Sequence, residues 1–182
     1  VKLVQGNTSR AGHLQQLRIA LDKLHLSHQH VLVLGSQHPS LEASVLGYGA
    51  RFVTSVLPVN TTVSPHPQLR LSSYKDWRRY FLEGRRPYDV AVVGPALGQS
   101  GLGPDMRGLD PSGDLNDMAR VWCLSKPHGP LVVGLEGEGV HGSDLLVWKE
   151  RRRYGSVRWP LLTTNWIPLE EVPSPKAGAS TG

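Results

Sequence analysis

Apolar residues between Ala11 and His25 recur at spacings near three and four, at Leu14, Leu17, Ile19, Leu21 and Leu24, the period of a helix that packs one face on a sheet. The period then changes. His30 to Leu34 is a short β-branched run ending at Gly35, and Pro39 stands where the first residue of a helix through about Gly47 is expected. A second strand fits Arg51 to Leu57, stopped by Pro58 and followed by a Thr, Pro and His-rich loop as far as Pro67. Gln68 to Leu71 fits a short third strand, and Ser73 then caps a helix carrying Tyr74, Trp77, Tyr80, Phe81 and Leu82 to its stop at Gly84. Tyr88 to Val93 reads as a buried strand ended by Gly94. Pro95 to Gly113 has no sustained period and is expected to form a long loop, of a length that is commonly functional. Asp114 to Leu124 fits a helix with Asp114 as N-cap and Leu115, Met118, Ala119 and Trp122 on one face. Pro130 to Leu135 is a fifth strand, and Asp144 to Trp148 and Ile167 to Val172 are candidate later strands.

Strands alternating with helices predict an α/β fold, a mostly parallel central sheet with helices on both faces, because parallel neighbours need crossover connections. A ligand crevice is expected at the carboxyl ends of the strands, bringing together Gly35 to His38, Leu57 to Asn60, Ser72 and Gly94 to Leu97. Three segments follow: an N-terminal helical segment over 1–29 packing on the core, the α/β domain over 30–172, and a small polar tail over 173–182 expected to be disordered.

Composition narrows the function classes. With 182 residues and one cysteine, Cys123, the chain fits one domain without an intrachain disulfide or a cysteine-based zinc site. Cys123 is expected at a buried helix position. The net charge of +5 is spread along the chain, apart from Arg78-Arg79, Arg85-Arg86 and Arg151 to Arg153, so a solvated basic face is expected in preference to nucleic-acid binding. His38 and His141 are isolated, and Asp105, Asp110 and Asp114 lack the spacing of a calcium loop, so no metal is expected. No apolar run has the length of a membrane span. The default expectation is a soluble cytoplasmic domain, with a preceding anchor or signal left open because the chain begins with Val.

The turn Gly35-Ser36-Gln37-His38-Pro39 presents backbone amides at a helix start, suited to a carboxylate or phosphate. Gln37 and Ser40 stand where a dinucleotide fingerprint needs further glycines, and the Lys and Ser/Thr ending of a P-loop is missing. Three stretches carry a resemblance. The first is Val31 to Glu42, continuing through Gly49-Ala50 and Val53 to Val56; the second is Ser100-Gly-Leu-Gly103 through Asp110-Pro-Ser-Gly-Asp114 to Trp122-Cys123; the third is Arg152, Tyr154-Gly155 and Leu162 to Trp166. Together they resemble the family called domain of unknown function 268, regarded as methyltransferase-like, over about Val31 to Val172.

The resemblance implies a Rossmann-like methyltransferase fold and S-adenosylmethionine as methyl donor. Gly35, Ser36, Gln37, Glu42, Leu57, Ser72 and Gly94 are then the candidate donor-site residues, and Gln99, Asp114, Arg152 and Tyr154 the candidate acceptor-site residues. Glu42 has two readings, a ligand to the donor's amino group or an exposed helix carboxylate. Asp114 has two as well, the N-cap or a group that orients the acceptor. Arg151 to Arg153, Tyr154, Arg158 and Trp159 fit either an acidic sugar or phosphate site or a basic surface beside a structural aromatic pair.

Three polar landmarks depart from the family pattern. Leu57 stands where a ribose-binding Glu is usual, Gly98-Gln99 replaces a Glu-His pair, and Lys149, Glu150 and Arg151 replace Asn-x-His. Losing the ribose carboxylate costs on the order of 2 to 3 kcal/mol of donor binding. The expected function is methyl transfer to a small-molecule or glycan acceptor; the alternative is a catalytically inactive member acting as a binding or interaction module.

Overall fold

The computed structural model describes residues 2–5, 17–36, 39–57, 66–103, 108–135 and 141–172. Gln37, His38, Pro58 to Asn60, Asp105 and the tail over 173–182 lie outside the described residues. In chain order the elements are β1 Lys2–Gln5, α1 over 17–22, β2 His30–Leu34, α2 Ser40–Gly47, β3 Phe52–Leu57, β4 Leu69–Ser73, α3 Tyr74–Leu82, β5 Val90–Val93, a 3-10 turn Pro95–Gln99, α4 Gly113–Leu124, β6 Leu131–Leu135, β7 Leu145–Val147, β8 Arg151–Arg153, α5 Arg158–Leu162 and β9 Glu170–Val172.

Seven strands share one sheet in the order β4-β3-β2-β5-β6-β1-β9, with every pairing parallel. The chain steps outward from β2 to β3 and β4, then returns to place β5 on the other side of β2. That reversal opens a crevice at the carboxyl ends of β2 and β5, the place where doubly wound sheets bind ligands. The expected α/β, Rossmann-like architecture is therefore present.

Alternation along the strands divides the core in two. Leu32, Leu34, Val56, Ala91, Val93, Leu131 and Val133 face α3, α4 and α5 through Trp77, Met118, Val121 and Leu162. Val31, Val33, Val53, Val90, Val92 and Val132 face α1 and α2 through Leu17, Leu21, Leu41 and Val45. Burying the strands on both faces explains their near-continuous apolar runs.

Several elements differ from the sequence expectation. β1 was not predicted, because its partners β6 and β9 come from the far half of the chain and local periodicity carries no trace of them. Within Asp144 to Trp148 only Leu145–Val147 is extended, and it forms an antiparallel hairpin with β8 outside the main sheet. Helix α4 is rotated from its predicted face: Asp114, Asp117, Met118, Val121 and Leu124 point inward, Ala119 is exposed, Trp122 is 41 % exposed and Cys123 is half-buried. An apolar period alone misplaced the face because two aspartates hold inward positions. Ser73 caps α3 as expected, accepting from the Asp76 amide at 3.2 Å.

At the opposite, amino-terminal edge, His30 Nε2 lies 2.9 Å from Thr54 Oγ1, and its ring meets Tyr88 edge-on at 5.0 Å. The His30 amide donates to Asp89 Oδ2 at 2.8 Å, and Lys126 donates to Asp89 Oδ1 at 2.5 Å. Burial lowers the His30 pKa below 6.5, outweighing the attraction of Asp89. The unfolded chain therefore binds the extra proton more readily, so stability is full above pH 6.5 and falls as the pH drops below it. We predict that the thermal midpoint falls between pH 7.5 and 5 and that His30→Gln flattens this dependence; an unchanged slope in the variant would refute the assignment.

Candidate active site

The turn after β2 and the turn after β5 meet backbone to backbone. Gly94 N donates to Leu34 O at 2.7 Å and Ala96 N to Gly35 O at 3.0 Å. Gly35 has φ +71°, and a Cβ there would sit 2.8 Å from Leu97 N; one on Gly94 would sit 2.6 Å from Gly35 O. Both positions exclude a side chain, so the single-glycine turn follows from two loops in contact at the switch point.

Behind this turn lies Glu42, 4 % exposed on the inner face of α2. Ser36 Oγ donates to its Oε2 at 3.0 Å, and Ser55 Oγ, from the middle of β3, donates to its Oε1 at 2.5 Å. Glu42 is thus no exposed helix carboxylate, as one reading expected. It is a buried acid that ties the turn, α2 and β3 together, and hydroxyl donors on both oxygens make its burial tolerable. Leu57, half-buried at the end of β3, is in register with Ser73, while the buried Ser72 pairs with Val56. Gly35, Ser36, Leu57, Ser72 and Gly94 therefore share one sheet edge. The N-terminus of α2 has no side-chain cap, which leaves first-turn amides facing that edge.

The second group of sequence candidates forms a separate cluster. Asp114, fully buried in the first turn of α4, accepts from Arg158 Nε at 2.8 Å, Arg158 Nη2 at 2.5 Å and Tyr154 Oη at 3.1 Å. The N-cap of α4 is Ser112, so Asp114 does not cap the helix as expected. Its position two residues past the N-cap aims the carboxylate at α5 instead. Arg152, 5 % exposed, donates to the carbonyls of Ser100 and Pro111, and its Nη1 lies 3.8 Å from Asp114 Oδ1. Ser100 Oγ donates to the buried Asp117 at 2.7 Å, and Asp117 also holds Arg120 at 2.8 Å. Asp144 accepts from the amides of Gly155 and Val157, both at 2.9 Å, and from Arg158 N at 3.2 Å.

Burial, reinforced by the Asp114 charge, raises the Tyr154 phenol well above its ordinary range. The hydrogen bond to Asp114 raises Arg158, against the opposing effect of burial. Asp144 is pulled below the usual carboxylate range because three backbone amides outweigh its desolvation. The groups in this cluster satisfy one another's hydrogen bonds, as a buried polar network must.

The acceptor candidates are thereby separated. Asp114, Arg152 and Tyr154 come together but direct their polar atoms inward, and Trp159, 3 % exposed, is closed to a ligand. Gln99 is half-exposed on the 3-10 turn. Ser55, Asp117 and Asp144 were missed by sequence reasoning, since a lone Ser in a strand, Asp in a helix or Asp in a loop carries no distinguishing period. Against the cluster opens a groove of about 310 Å³, lined by Leu109, Leu146 and Trp148 and also by Asp144, Arg152 and Arg158 of the cluster itself. Among the described residues no group of three or more His, Cys, Asp or Glu side chains is arranged to hold a metal, and no helix is long and apolar enough to cross a membrane.

Removing one partner of a buried ion pair strands the other charge, so Asp114→Ala is predicted to lower unfolding free energy by about 3 to 5 kcal/mol. Tyr154→Phe removes one hydrogen bond and is predicted to cost about 1 kcal/mol. Urea unfolding measures both; equal small losses would show that the pair does not hold the cluster.

A candidate SAM-dependent methyltransferase from Streptococcus mutans is similar in structure, with a TM-score of 0.49 and 15% identity over 66% of this chain and 34% of that one. The chain thus spans about a third of that protein's length. Comparison with curated proteins gives no match. The family model described as "Caenorhabditis protein of unknown function, DUF268" matches residues 28–171, and with that span covered the chain belongs to this family.

Proposed function

We propose that the chain binds S-adenosylmethionine at the edge formed by β2, β3 and β5 and directs its methyl group to a small-molecule or glycan acceptor. The observation that carries this reading is that the Gly35 turn after β2 and the uncapped N-terminus of α2 both stand at the switch point. Amides there suit the carboxylate of an amino-acid ligand. Ser36 and Ser72 supply small polar lining, and Gly94 lets the opposite turn approach. Glu42 acts through Ser36, holding the turn in shape.

Leu57 fits the donor poorly, because an apolar side chain cannot accept from ribose hydroxyls. The sulfonium, when bound, supplies an activated methyl group. The chain's own contribution is to place an acceptor in line with that carbon and to exclude water, which can supply much of a rate enhancement. Gln99 and the loop from Gly94 to Gly103 face the acceptor in this reading. Asp114, Arg152 and Tyr154 hold that loop in place from behind.

A second reading, a binding module that has lost catalysis, is favoured by Leu57 and by Gly98. A Cβ at Gly98 would fall 2.9 Å from the Arg152 carbonyl, so the backbone of β8 fills the space a catalytic Glu side chain would begin from. No general base stands at that position.

Titration calorimetry with S-adenosylmethionine and S-adenosylhomocysteine is predicted to give saturable heat, and Leu57→Glu to raise affinity by about tenfold or more through the restored ribose contacts. Absence of heat and of a thermal shift at millimolar ligand for both proteins would overturn donor binding. Donor binding without turnover across an acceptor screen would favour the second reading.

A further inference from the structure

A cavity of about 420 Å³ lies between α3, α4 and the turn after β5, lined by Tyr74, Lys75, Arg78, Gly101, Asp110, Gly113 and Arg120. It opens at the same edge of the sheet as the Gly35 turn, because α3 follows β4 directly and Gly101 follows the 3-10 turn after β5. Its three cations come from two helices. Lys75 and Arg78 stand three residues apart on α3, on one face of that helix. Arg120 projects from α4, with Nη1 fixed on the buried Asp117.

Arg120 is balanced by Asp117, and the Asp110 carboxylate lines the same space, so the excess positive charge comes from α3. Arg79 and Arg85, nearby on the outer face, pair with Glu83 and lie against the Tyr80 ring. Lys75 and Arg78 have no ion-pair partner among the described residues. The carboxylate lining the cavity, Asp110, already accepts from Ser112 N at 2.9 Å and Asn116 Nδ2 at 3.1 Å. Asp117 accepts from Ser100 Oγ and from Arg120 Nη1, and Arg120 lines the cavity. Three cations gathered around a concave space, one held in place by a buried acid, form the arrangement that recognises a compact oxyanion.

We propose that this cavity is an anion site for a phosphoryl group, either free phosphate or the phosphate of a small metabolite. Arg120 is the fixed donor, and Lys75 and Arg78 close on the group from α3. The site does not depend on methyl transfer, since it is read by binding alone.

The test is calorimetry of the wild-type chain with inorganic phosphate and with ribose 5-phosphate, at constant ionic strength set by chloride. Saturable binding is expected, weakened at least tenfold in the Lys75→Ala/Arg78→Ala variant. The Arg85→Ala/Arg86→Ala variant, which loses the same charge outside the cavity, is expected to bind as wild type. Both substitutions in the first pair are at exposed helix positions, and circular dichroism checks that the fold persists. Arg120→Gln is expected to weaken binding as well. Tighter binding of ribose 5-phosphate would assign the site to a phosphorylated metabolite, and equal binding to the free ion. Heat that does not saturate, or equal losses in the two double variants, would overturn the site. No donor is present in these titrations, so their outcome is separate from that of the adenosylmethionine experiment.

Discussion

Burying the Asp114 carboxylate is the constraint on which the second half of the chain depends. A fully buried charge without partners is expensive enough to unfold a domain of this size. Asp114 is made tolerable by a two-pronged contact from Arg158 and a phenol from Tyr154, each supplied by a segment about forty residues downstream. Those segments must therefore return across α4. Arg152 completes the closure by donating to carbonyls of the Ser100 turn and of Pro111, so the loop after β5 is clamped from both sides. The hairpin β7-β8 and helix α5 are held by this cluster rather than by pairing with the main sheet.

That division assigns different work to the two groups of polar residues. Around Gly35 the turns are held by backbone hydrogen bonds, with Glu42 braced by Ser36 and Ser55 behind the turn. Around Asp114 the polar atoms are many and spend themselves on one another. A site that binds ligand must keep some hydrogen-bonding capacity unspent, which favours the Gly35 edge and the cationic cavity beside α3 over the buried cluster.

Much of the fold was legible because its strands are short, apolar and punctuated by Gly or Pro. β2, β3, β5 and β6 lie where the change of period placed them, and Ser73 caps α3 as read. β1 was not legible, since its identity rests on partners from β6 and β9. The site was less legible for a related reason. Asp114, Arg152 and Tyr154 stood out as polar residues in a shared pattern, but a pattern does not say which way a side chain points, and all three turn inward. Trp159 was offered as a stacking face and is buried, whereas Trp148, 64 % exposed beside the groove, had no signal to single it out. The pairing of Glu42 with Ser55 joins a helix to the middle of a strand, which only the folded register reveals.

The central claim is that ligand meets this chain at the turns after β2 and β5 while the Asp114 cluster stays closed. Amide chemical-shift mapping of the isotope-labelled protein during titration with S-adenosylhomocysteine tests it directly. The account predicts shifts centred on Gly35, Ser36, Leu57, Ser72 and Gly94, with Asp114, Arg152 and Tyr154 little changed. Shifts centred on those three residues, with the Gly35 turn silent, would contradict it.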